Sequence, residues 1–249
     1  MKIIVNADDF GLSSSVNKAI VDSFNTGLIN STTILAGMPG FEEAVGLAHK
    51  NHFFKKTGIH LSLSGGRPLT EDIVHKNLFY TGDDSGVKKY KRRLFLLSTD
   101  DKRTTYKELA TQIENVRLAG IPITHIDTHH HIGDMWSVTQ ILLNLLKEYN
   151  IPSMRILNNL SQSSAFYKTG YRSIVNQYIK LHKANFSDYF GNLPESVSKL
   201  RSCGQIFKNR KIEIMVHPDY NNDGIIVDRL GYEEIVLNYP EDIRVMLNQ

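Results

Sequence analysis

Four histidines and one aspartate fall within seven consecutive residues near the middle of this chain. They belong to the run Thr124-His125-Ile126-Asp127-Thr128-His129-His130-His131. Imidazole and carboxylate groups bind divalent metals and transfer protons near neutral pH. Because alternate side chains of an extended segment share a face, we expect His125, Asp127 and His129 to point the same way. The run therefore indicates one wall of a metal site. An exposed polar loop is the alternative, and the preceding Ile121-Pro122-Ile123, typical of strand entry, disfavours it.

Other acidic and imidazole side chains sit on or just after other predicted strands. Asp8 and Asp9 follow the first apolar run, His60 lies within the third, and His217 follows the last. In parallel α/β folds, active sites gather beyond the carboxyl ends of the strands. Two histidines and one carboxylate are a recurrent ligand set that leaves positions open for water or substrate. We therefore expect Asp9, His60 and His125 to bind one metal.

The remaining side chains suggest hydrolytic chemistry. Neighbouring side chains of an extended strand point in opposite directions, so Asp8 and Asp9 are expected to have different roles. A metal held by Asp9 would polarise a carbonyl oxygen and lower the pKa of bound water. Asp8 could act as a general base, and His217 could protonate the leaving group. Asp127 is expected to orient a neighbouring histidine.

Strands and helices alternate along the chain, which predicts one α/β domain over residues 1–249 with a parallel sheet or a barrel. Apolar runs predict strands at residues 3–5, 31–35, 57–63, 154–157 and 212–216, and one through the histidine run. Helical spacing predicts helices at residues 16–25 (capped by one of Ser13 to Ser15), 41–50, 106–119, 138–149, 233–237 and 241–247. Residues 65–105 are a long and less regular excursion, and residues 161–211 are mixed.

Composition excludes several classes of protein. A net charge of +3 is too small to indicate nucleic-acid binding. The basic run 88–93 is typical of a solvated face. Cys203 is the single cysteine, so an internal disulfide is excluded and a reducing compartment is favoured. No apolar stretch approaches the roughly 20 residues that span a bilayer, and the start of the chain enters a strand directly. We expect a cytoplasmic protein that does not enter membranes.

Four motifs together resemble the YdjC-like carbohydrate deacetylases, which include chitooligosaccharide (diacetylchitobiose) deacetylases. They are the histidine run, Asn6-Ala7-Asp8-Asp9-Phe10-Gly11, Gly58-Ile59-His60-Leu61 and Val216-His217-Pro218. Each motif is short, but the ordered set is specific and spans most of the chain. One departure is visible, because Asp219-Tyr220 follows Pro218 where the family pattern suggests glycine.

The resemblance implies a distorted (β/α) TIM-like barrel that removes N-acetyl groups from amino sugars or short chitooligosaccharides. It implies Mg²⁺, with Zn²⁺ or Co²⁺ as alternatives, and a homodimer. Carried over by motif, Asp9, His60 and His125 would bind the metal, Asp8 would be the base, and His217 the acid or oxyanion partner. Arg155 would position Asp8 or the substrate, as would the side chains around the ligands, Asp127, His129 and His131.

Two other functions fit the same residues. A two-metal barrel phosphoesterase would use His129 and His131 for its second metal, so the number of bound metals distinguishes it. A non-catalytic metal- or sugar-binding protein would need the ligands but neither Asp8 nor His217. Cleavage of a glycosidic bond is disfavoured, because the adjacent Asp8 and Asp9 cannot flank one bond from opposite sides.

Overall fold

The computed structural model describes residues 1–82, 86–161, 165–229 and 232–236. Its strands are β1 (Lys2–Phe10), β2 (Ser31–Ile34), β3 (Thr57–Leu61), β4 (Ile126–Thr128), β5 (Tyr189–Asn192), β6 (Lys211–Val216), β7 (Pro218–Tyr220), β8 (Ile226–Asp228) and β9 (Tyr232–Val236). Its α-helices are α1 (Ser14–Asn25), α2 (Phe41–Lys50), α3 (Glu71–His75), α4 (Val87–Arg93), α5 (Thr99–Leu118), α6 (Trp136–Glu148), α7 (Phe166–Leu181) and α8 (Leu193–Cys203).

The first six strands form one parallel sheet in the order β4-β3-β2-β1-β6-β5. Single backbone bridges link Met154 to Ile126 of β4 and to Asn185, which precedes β5. The sheet therefore curls round toward closure, with helices outside it. This is a single α/β domain with a TIM-like barrel, and the predicted fold class is confirmed. The predicted strand at 154–157 reduces to the bridge at Met154.

Local sequence explains how the first helix starts and packs. Ser13 has an extended backbone, and its hydroxyl accepts a hydrogen bond from the Val16 amide at 3.3 Å. This satisfies one of the amides that a helix start leaves without a partner. Val16 and Ile20 are buried at helical spacing against the sheet, as their spacing predicts. The cap and the apolar face together fix α1 beside β1.

The excursion at 65–105 is more ordered than the sequence suggests, since it contains α3, α4 and the start of α5. Buried Glu108 of α5 accepts hydrogen bonds from the amides of Leu69 and Thr70 at 3.0 and 2.8 Å. The buried hydroxyl of Tyr90 in α4 donates to the carbonyl oxygen of Leu63 at 2.8 Å. These contacts hold the excursion against the chain that leaves the carboxyl end of β3.

After β6 the chain forms an antiparallel sheet of β7, β8 and β9. The prediction of a helix at 233–237 is wrong for residues 233–236, which belong to β9. Residue 237 and the predicted helix at 241–247 lie outside the described residues. β7 is attached to α1: the Ser15 hydroxyl donates to Asp219, and Tyr220 contacts both Lys18 and Asp22. Asp219, the departure from the family pattern, therefore contacts α1.

Membrane insertion finds no support among the described helices. None of them combines the length and the apolar character that a bilayer crossing requires.

The tight contact between β3 and His125, which precedes β4, gives a stability prediction. A Cβ on Gly58 would lie 2.6 Å from the carbonyl oxygen and ring of His125. We expect Gly58→Ala to lower the free energy of unfolding by about 1–3 kcal/mol, because a packed core resists added volume. Urea unfolding measures this. Gly46→Ala in α2 is the control, since its Cβ would meet nothing within 4 Å, and it should stabilise by up to about 1 kcal/mol. Equal effects of the two substitutions would contradict the packing described.

Candidate active site

A β-bulge in β1 brings two neighbouring carboxylates to one pocket. The register between β1 and β2 shifts between Ala7 and Phe10. Asp9 inside the bulge has a φ of 68°, in the left-handed region that a non-glycine residue rarely adopts. Both Asp8 and Asp9 are buried and both lie within 4.8 Å of ring nitrogens of His60. Strict alternation would have put them on opposite faces, and the bulge is the physical reason that it fails here.

Asp9, His60 and His129 form a group that fits a divalent metal. Asp9 Oδ1 lies 3.3 Å from His60 Nε2 and 3.0 Å from His129 Nδ1. Ligands at right angles around an ion, each at about 2.1 Å, are about 3.0 Å apart. Asp9 Oδ1 is buried and accepts no hydrogen bond from the described residues. A buried carboxylate oxygen left without a partner costs free energy, and a cation between these three groups would satisfy it.

The structure brings His129, and not His125, together with Asp9 and His60. His125 is fully buried, its ring is stacked on Phe186 at 3.8 Å, and its Nδ1 lies 2.9 Å from the hydroxyl of Thr124. Burial and the positive charge of Arg155 hold the pKa of His125 well below its usual value, so this ring is neutral. Neither group of potential metal ligands found among the described residues includes it.

The difference between the two histidines is one of depth in the barrel. His125 precedes β4, whereas His129 follows it at the carboxyl end of the sheet. Two residues along a strand correspond to about 6.6 Å, so residues that share a face need not share a layer. The chain turns immediately after His129, where His130 and His131 both have a φ of 52°. The rule that active sites lie at carboxyl ends of strands could have selected His129 from the sequence.

Asp127 orients His60 from the opposite side of the ring. Its Oδ1 lies 2.6 Å from His60 Nδ1, while its Oδ2 accepts from the hydroxyl of Thr33 at 3.0 Å. This contact aims His60 Nε2 at Asp9, an arrangement that commonly supports metal-binding histidines. Burial alone would lower the pKa of His60, but the charge and hydrogen bond of Asp127 dominate and raise it to about 10.

Arg155 lies at the centre of the buried charges. Its Nη1 and Nη2 each lie 2.7 Å from an oxygen of Asp8, and Nη2 is also 2.8 Å from Asp127. Its Nε donates to Glu213 at 2.6 Å. Burial alone would raise the pKa of Asp8, but the charge and hydrogen bonds of Arg155 hold that pKa well below its usual range. Burial raises the pKa of Glu213 to about 7 despite the same arginine. No sequence signal pointed to Glu213, which lies within an apolar strand.

His217 reaches the pocket from the end of β6. Its Nε2 lies 3.9 Å from Asp8 Oδ2, and its Nδ1 lies 3.5 Å from Asp228 Oδ1. Burial alone would lower the pKa of His217, but the hydrogen bond with Asp228 and the charges of Asp8 and Asp9 outweigh it and raise the pKa. The raised pKa of His217 favours the protonated form of its ring.

Sequence reasoning missed Asp228 and Arg229. Asp228 is 2% exposed, and Arg229 donates a hydrogen bond to Asp9 Oδ2. The available signal was a charged pair directly after the apolar run 225–227, the same pattern that identified Asp8 and Asp9.

The last two histidines of the run lie beside the proposed ligands. His130 Nδ1 lies 2.8 Å from the hydroxyl of Ser64, and its ring centre is 3.9 Å from that of His129. The ring of His131 lies 6.2 Å from Phe190. Burial and the charge of Arg155 lower the pKa of His131 to about 3. His131 belongs to neither group of potential ligands among the described residues.

The carboxylates of a second group of potential ligands already contact the positively charged side chain of Arg155. This group consists of Asp8, His60 and Asp127. The guanidinium of Arg155 contacts both carboxylates at 2.7–2.8 Å. A second divalent ion would have to displace this buried group.

A model of the YdjC-like protein family matches residues 2–245. The chain belongs to this family. It is 38% identical to a carbohydrate deacetylase from Vibrio parahaemolyticus, with 93% of this chain and 83% of that protein covered. It is 33% identical to a carbohydrate deacetylase from Clostridium beijerinckii, with 91% and 84% covered. The resemblance seen in the motifs is therefore confirmed.

A solved structure supports the fold independently. It is a crystal structure of an Enterococcus faecalis V583 protein described provisionally as a cellobiose-phosphate cleavage protein. It matches with a TM-score of 0.68 at 20% identity and covers 99% of this chain and 94% of that one. At this identity the match shows the fold alone.

The three carboxylates around Arg155 give a prediction about unfolding. Arg155→Met would leave Asp8, Asp127 and Glu213 buried without their cation, which we expect to cost about 3–5 kcal/mol at pH 7. The pKa of Asp8 is depressed in the folded protein, so the stability from this pairing is present above the unfolded pKa and is lost as pH falls. Because the ordinary pKa of an aspartate is 3.8, the cost should hold between pH 7 and pH 5 and shrink as the pH falls below about 4 in urea unfolding experiments. A cost that stays the same from pH 7 to pH 3 would contradict the pairing.

Proposed function

We propose that this protein is a metal-dependent carbohydrate deacetylase that removes N-acetyl groups from amino sugars, including short chitooligosaccharides, and releases acetate. The observation that carries the proposal is the buried group of Asp9, His60 and His129 beside an ionised Asp8 and His217. Names of family relatives support the reaction class. A cytoplasmic location and a homodimer stay predictions from the sequence.

Asp9 Oδ1, His60 Nε2 and His129 Nδ1 would hold the ion, for which we propose Mg²⁺, with Zn²⁺ or Co²⁺ as alternatives. Two imidazoles and one carboxylate suit several divalent metals, so the ligand types alone do not select one. When bound, the ion supplies polarisation of the acetyl carbonyl group and acidifies the attacking water. His125 is not proposed as a ligand, because it precedes β4 and lies away from the carboxyl end of the sheet.

Asp8 is proposed to accept the proton of the attacking water. Arg155 keeps Asp8 ionised and also makes it a weak base, because it holds the pKa of this carboxylate well below its usual range. Asn6 donates to Asp8 Oδ1 at 2.8 Å, which fixes the carboxylate further. A fixed, ionised carboxylate is suited to orient water, and it needs water that is already acidified.

His217 is proposed to protonate the departing amine. Its Nε2 lies 3.9 Å from Asp8 Oδ2, and its raised pKa favours the protonated ring that this role requires. Asp228 on its Nδ1 side fixes the orientation of the ring. The arrangement resembles other sites in which a carboxylate orients a proton-donating histidine.

The excursion is proposed to form the sugar-binding rim. Tyr80 and Tyr90 lie beside the chain that leaves β3: the Tyr80 amide donates to the Leu63 carbonyl at 2.9 Å, as does the Tyr90 hydroxyl at 2.8 Å. The next residue in that chain, Ser64, contacts His130. This places α4 close to the histidine segment, where an extended sugar would leave the pocket.

The two-metal phosphoesterase is the weaker alternative. Its second ion would compete with Arg155 for Asp8 and Asp127. His131, which was its proposed ligand, belongs to neither ligand group among the described residues. The burial of Asp8 against Arg155 thus favours one metal and the deacetylase.

Acetate release from N,N′-diacetylchitobiose tests the proposal. We expect activity that a chelator removes and that one added divalent ion, Mg²⁺, Zn²⁺ or Co²⁺, restores, because the ion holds the reacting carbonyl group. A phosphate monoester offered with each ion is the comparison substrate. Turnover of that ester without acetate release from a panel of acetylated sugars would contradict the deacetylase assignment.

Removal of the proposed base separates turnover from metal binding. Asp8→Asn should lower kcat by about 10²–10⁴-fold, the usual contribution of a positioned base. Metal affinity measured by calorimetry should stay near that of the wild type, since Asp8 is not among the proposed ligands. A variant that keeps the wild-type kcat would exclude Asp8 as the base.

Asp228 should set the alkaline limb of the pH profile. An acid must be protonated to act, and the raised pKa of His217 keeps it so to higher pH. Asp228→Asn removes a negative charge, which lowers that pKa, so the fall in kcat/KM should begin at lower pH. Asp223→Asn, on the exposed turn between β7 and β8, is the matched control. An unchanged alkaline limb in Asp228→Asn would argue against His217 as the acid.

A further inference from the structure

The two oxygens of Asp9 face different partners. Oδ1 faces the histidines, at 3.3 Å from His60 Nε2 and 3.0 Å from His129 Nδ1, and accepts no hydrogen bond from the described residues. Oδ2 accepts a hydrogen bond from Nη2 of Arg229. One oxygen is therefore held by a side chain, and the other is left to the pocket.

We propose that Arg229 is a specificity-determining residue, which restricts Asp9 to a single ligand oxygen and so sets which divalent ions the site accepts. The inference rests on the metal-dependent function proposed above and deepens it. A carboxylate with both oxygens free can bind a large ion through both at once. When an arginine occupies one oxygen, only the other remains, which suits small ions with strict geometry.

The local backbone explains why Asp9 needs such a partner. Its φ of 68° places it in a bulge, outside the regular pairing of β1. Backbone strain of this kind persists only where surrounding contacts hold it. The strand does not fix the carboxylate, so its orientation depends on what the side chain contacts. Arg229 is the group that contacts the oxygen turned away from the histidines.

Arg229 is itself well anchored. Its amide donates to the carbonyl oxygen of His217 at 3.1 Å, and the neighbouring Asp228 faces the ring of His217. Its side chain is 26% exposed, and its buried Nε has no hydrogen-bond partner among the described residues. An unsatisfied buried donor is unfavourable, so the contact with Asp9 is the interaction that accounts for this placement.

The ratio of the affinities for Ca²⁺ and Mg²⁺ isolates the effect of freeing the second oxygen of Asp9. Loss of Arg229 removes a positive charge that repels cations. This loss alone should raise the affinity for every divalent ion by a similar factor. Ca²⁺ accepts bidentate carboxylates and more ligands, whereas Mg²⁺ demands a near-ideal octahedron of single oxygens. A change in the ratio of their dissociation constants therefore reports the freed Oδ2 and not the altered charge.

The experiment is calorimetry of Mg²⁺ and Ca²⁺ binding to the wild type and to Arg229→Met, Arg229→Lys and Arg210→Met. Arg210 is the matched control, because its side chain is 57% exposed and its ion pair with Asp188 is long, at 3.7 Å. We expect Arg229→Met to shift the ratio toward Ca²⁺ by about tenfold or more, the usual scale for a residue that orients a ligand. Arg229→Lys should stay near the wild type, because its ammonium still donates to Oδ2. Arg210→Met should not change the ratio.

Contrary outcomes separate this inference from the function. A ratio in Arg229→Met within about twofold of the wild type, well below the expected tenfold change, would overturn the role of Arg229 and leave the deacetylase proposal standing. Failure of the wild type to bind any divalent ion, with Zn²⁺ and Co²⁺ also tried, would overturn both. If Arg229→Met unfolds, Arg229→Ala, which also lacks a side-chain donor, takes its place, and the same ratio decides.

Discussion

The rest of the site depends on one buried guanidinium. Arg155 contacts three buried carboxylates that belong to different parts of the barrel, Asp8, Asp127 and Glu213, and its positive charge offsets part of their negative charge. It holds the pKa of Asp8 well below the usual range, so this carboxylate stays ionised despite its burial. Through Asp127 it also fixes His60, and through Asp8 it fixes the proposed base. The ligand side and the proton-transfer side of the pocket are thus coupled through a single residue, so the geometry of one depends on the other.

That coupling carries a chemical consequence. An arginine that holds Asp8 ionised also weakens it as a base, so the site is not arranged to deprotonate ordinary water. In the proposed mechanism it orients water that a metal would acidify, and the bulge at Asp9 places the oxygen that faces the histidines next to it. In this proposal the adjacent residues have different roles: Asp9, in the strained bulge, binds the metal, and Asp8, a weak base, orients the water.

The sequence was sufficient for the fold class and for most of the residues that meet in the pocket, because strand–helix alternation and polar residues at strand ends are local signals. It does not reveal arrangements that depend on three dimensions. His125 and His129 have the same spacing from Asp127, and only their depth separates them. Glu213 and Arg229 are distant in sequence from the residues they contact. The short strand β9 was mistaken for a helix, because a five-residue segment has too little periodicity to decide.

The position of the metal is the central claim, and a crystal structure with Co²⁺ and anomalous diffraction tests it most directly. We expect one peak per chain, about 2.0–2.3 Å from Asp9 Oδ1, His60 Nε2 and His129 Nδ1. Arg155 should remain on Asp8 and Asp127. A peak at His125, or a second peak between Asp8 and Asp127 with Arg155 displaced, would contradict the site described.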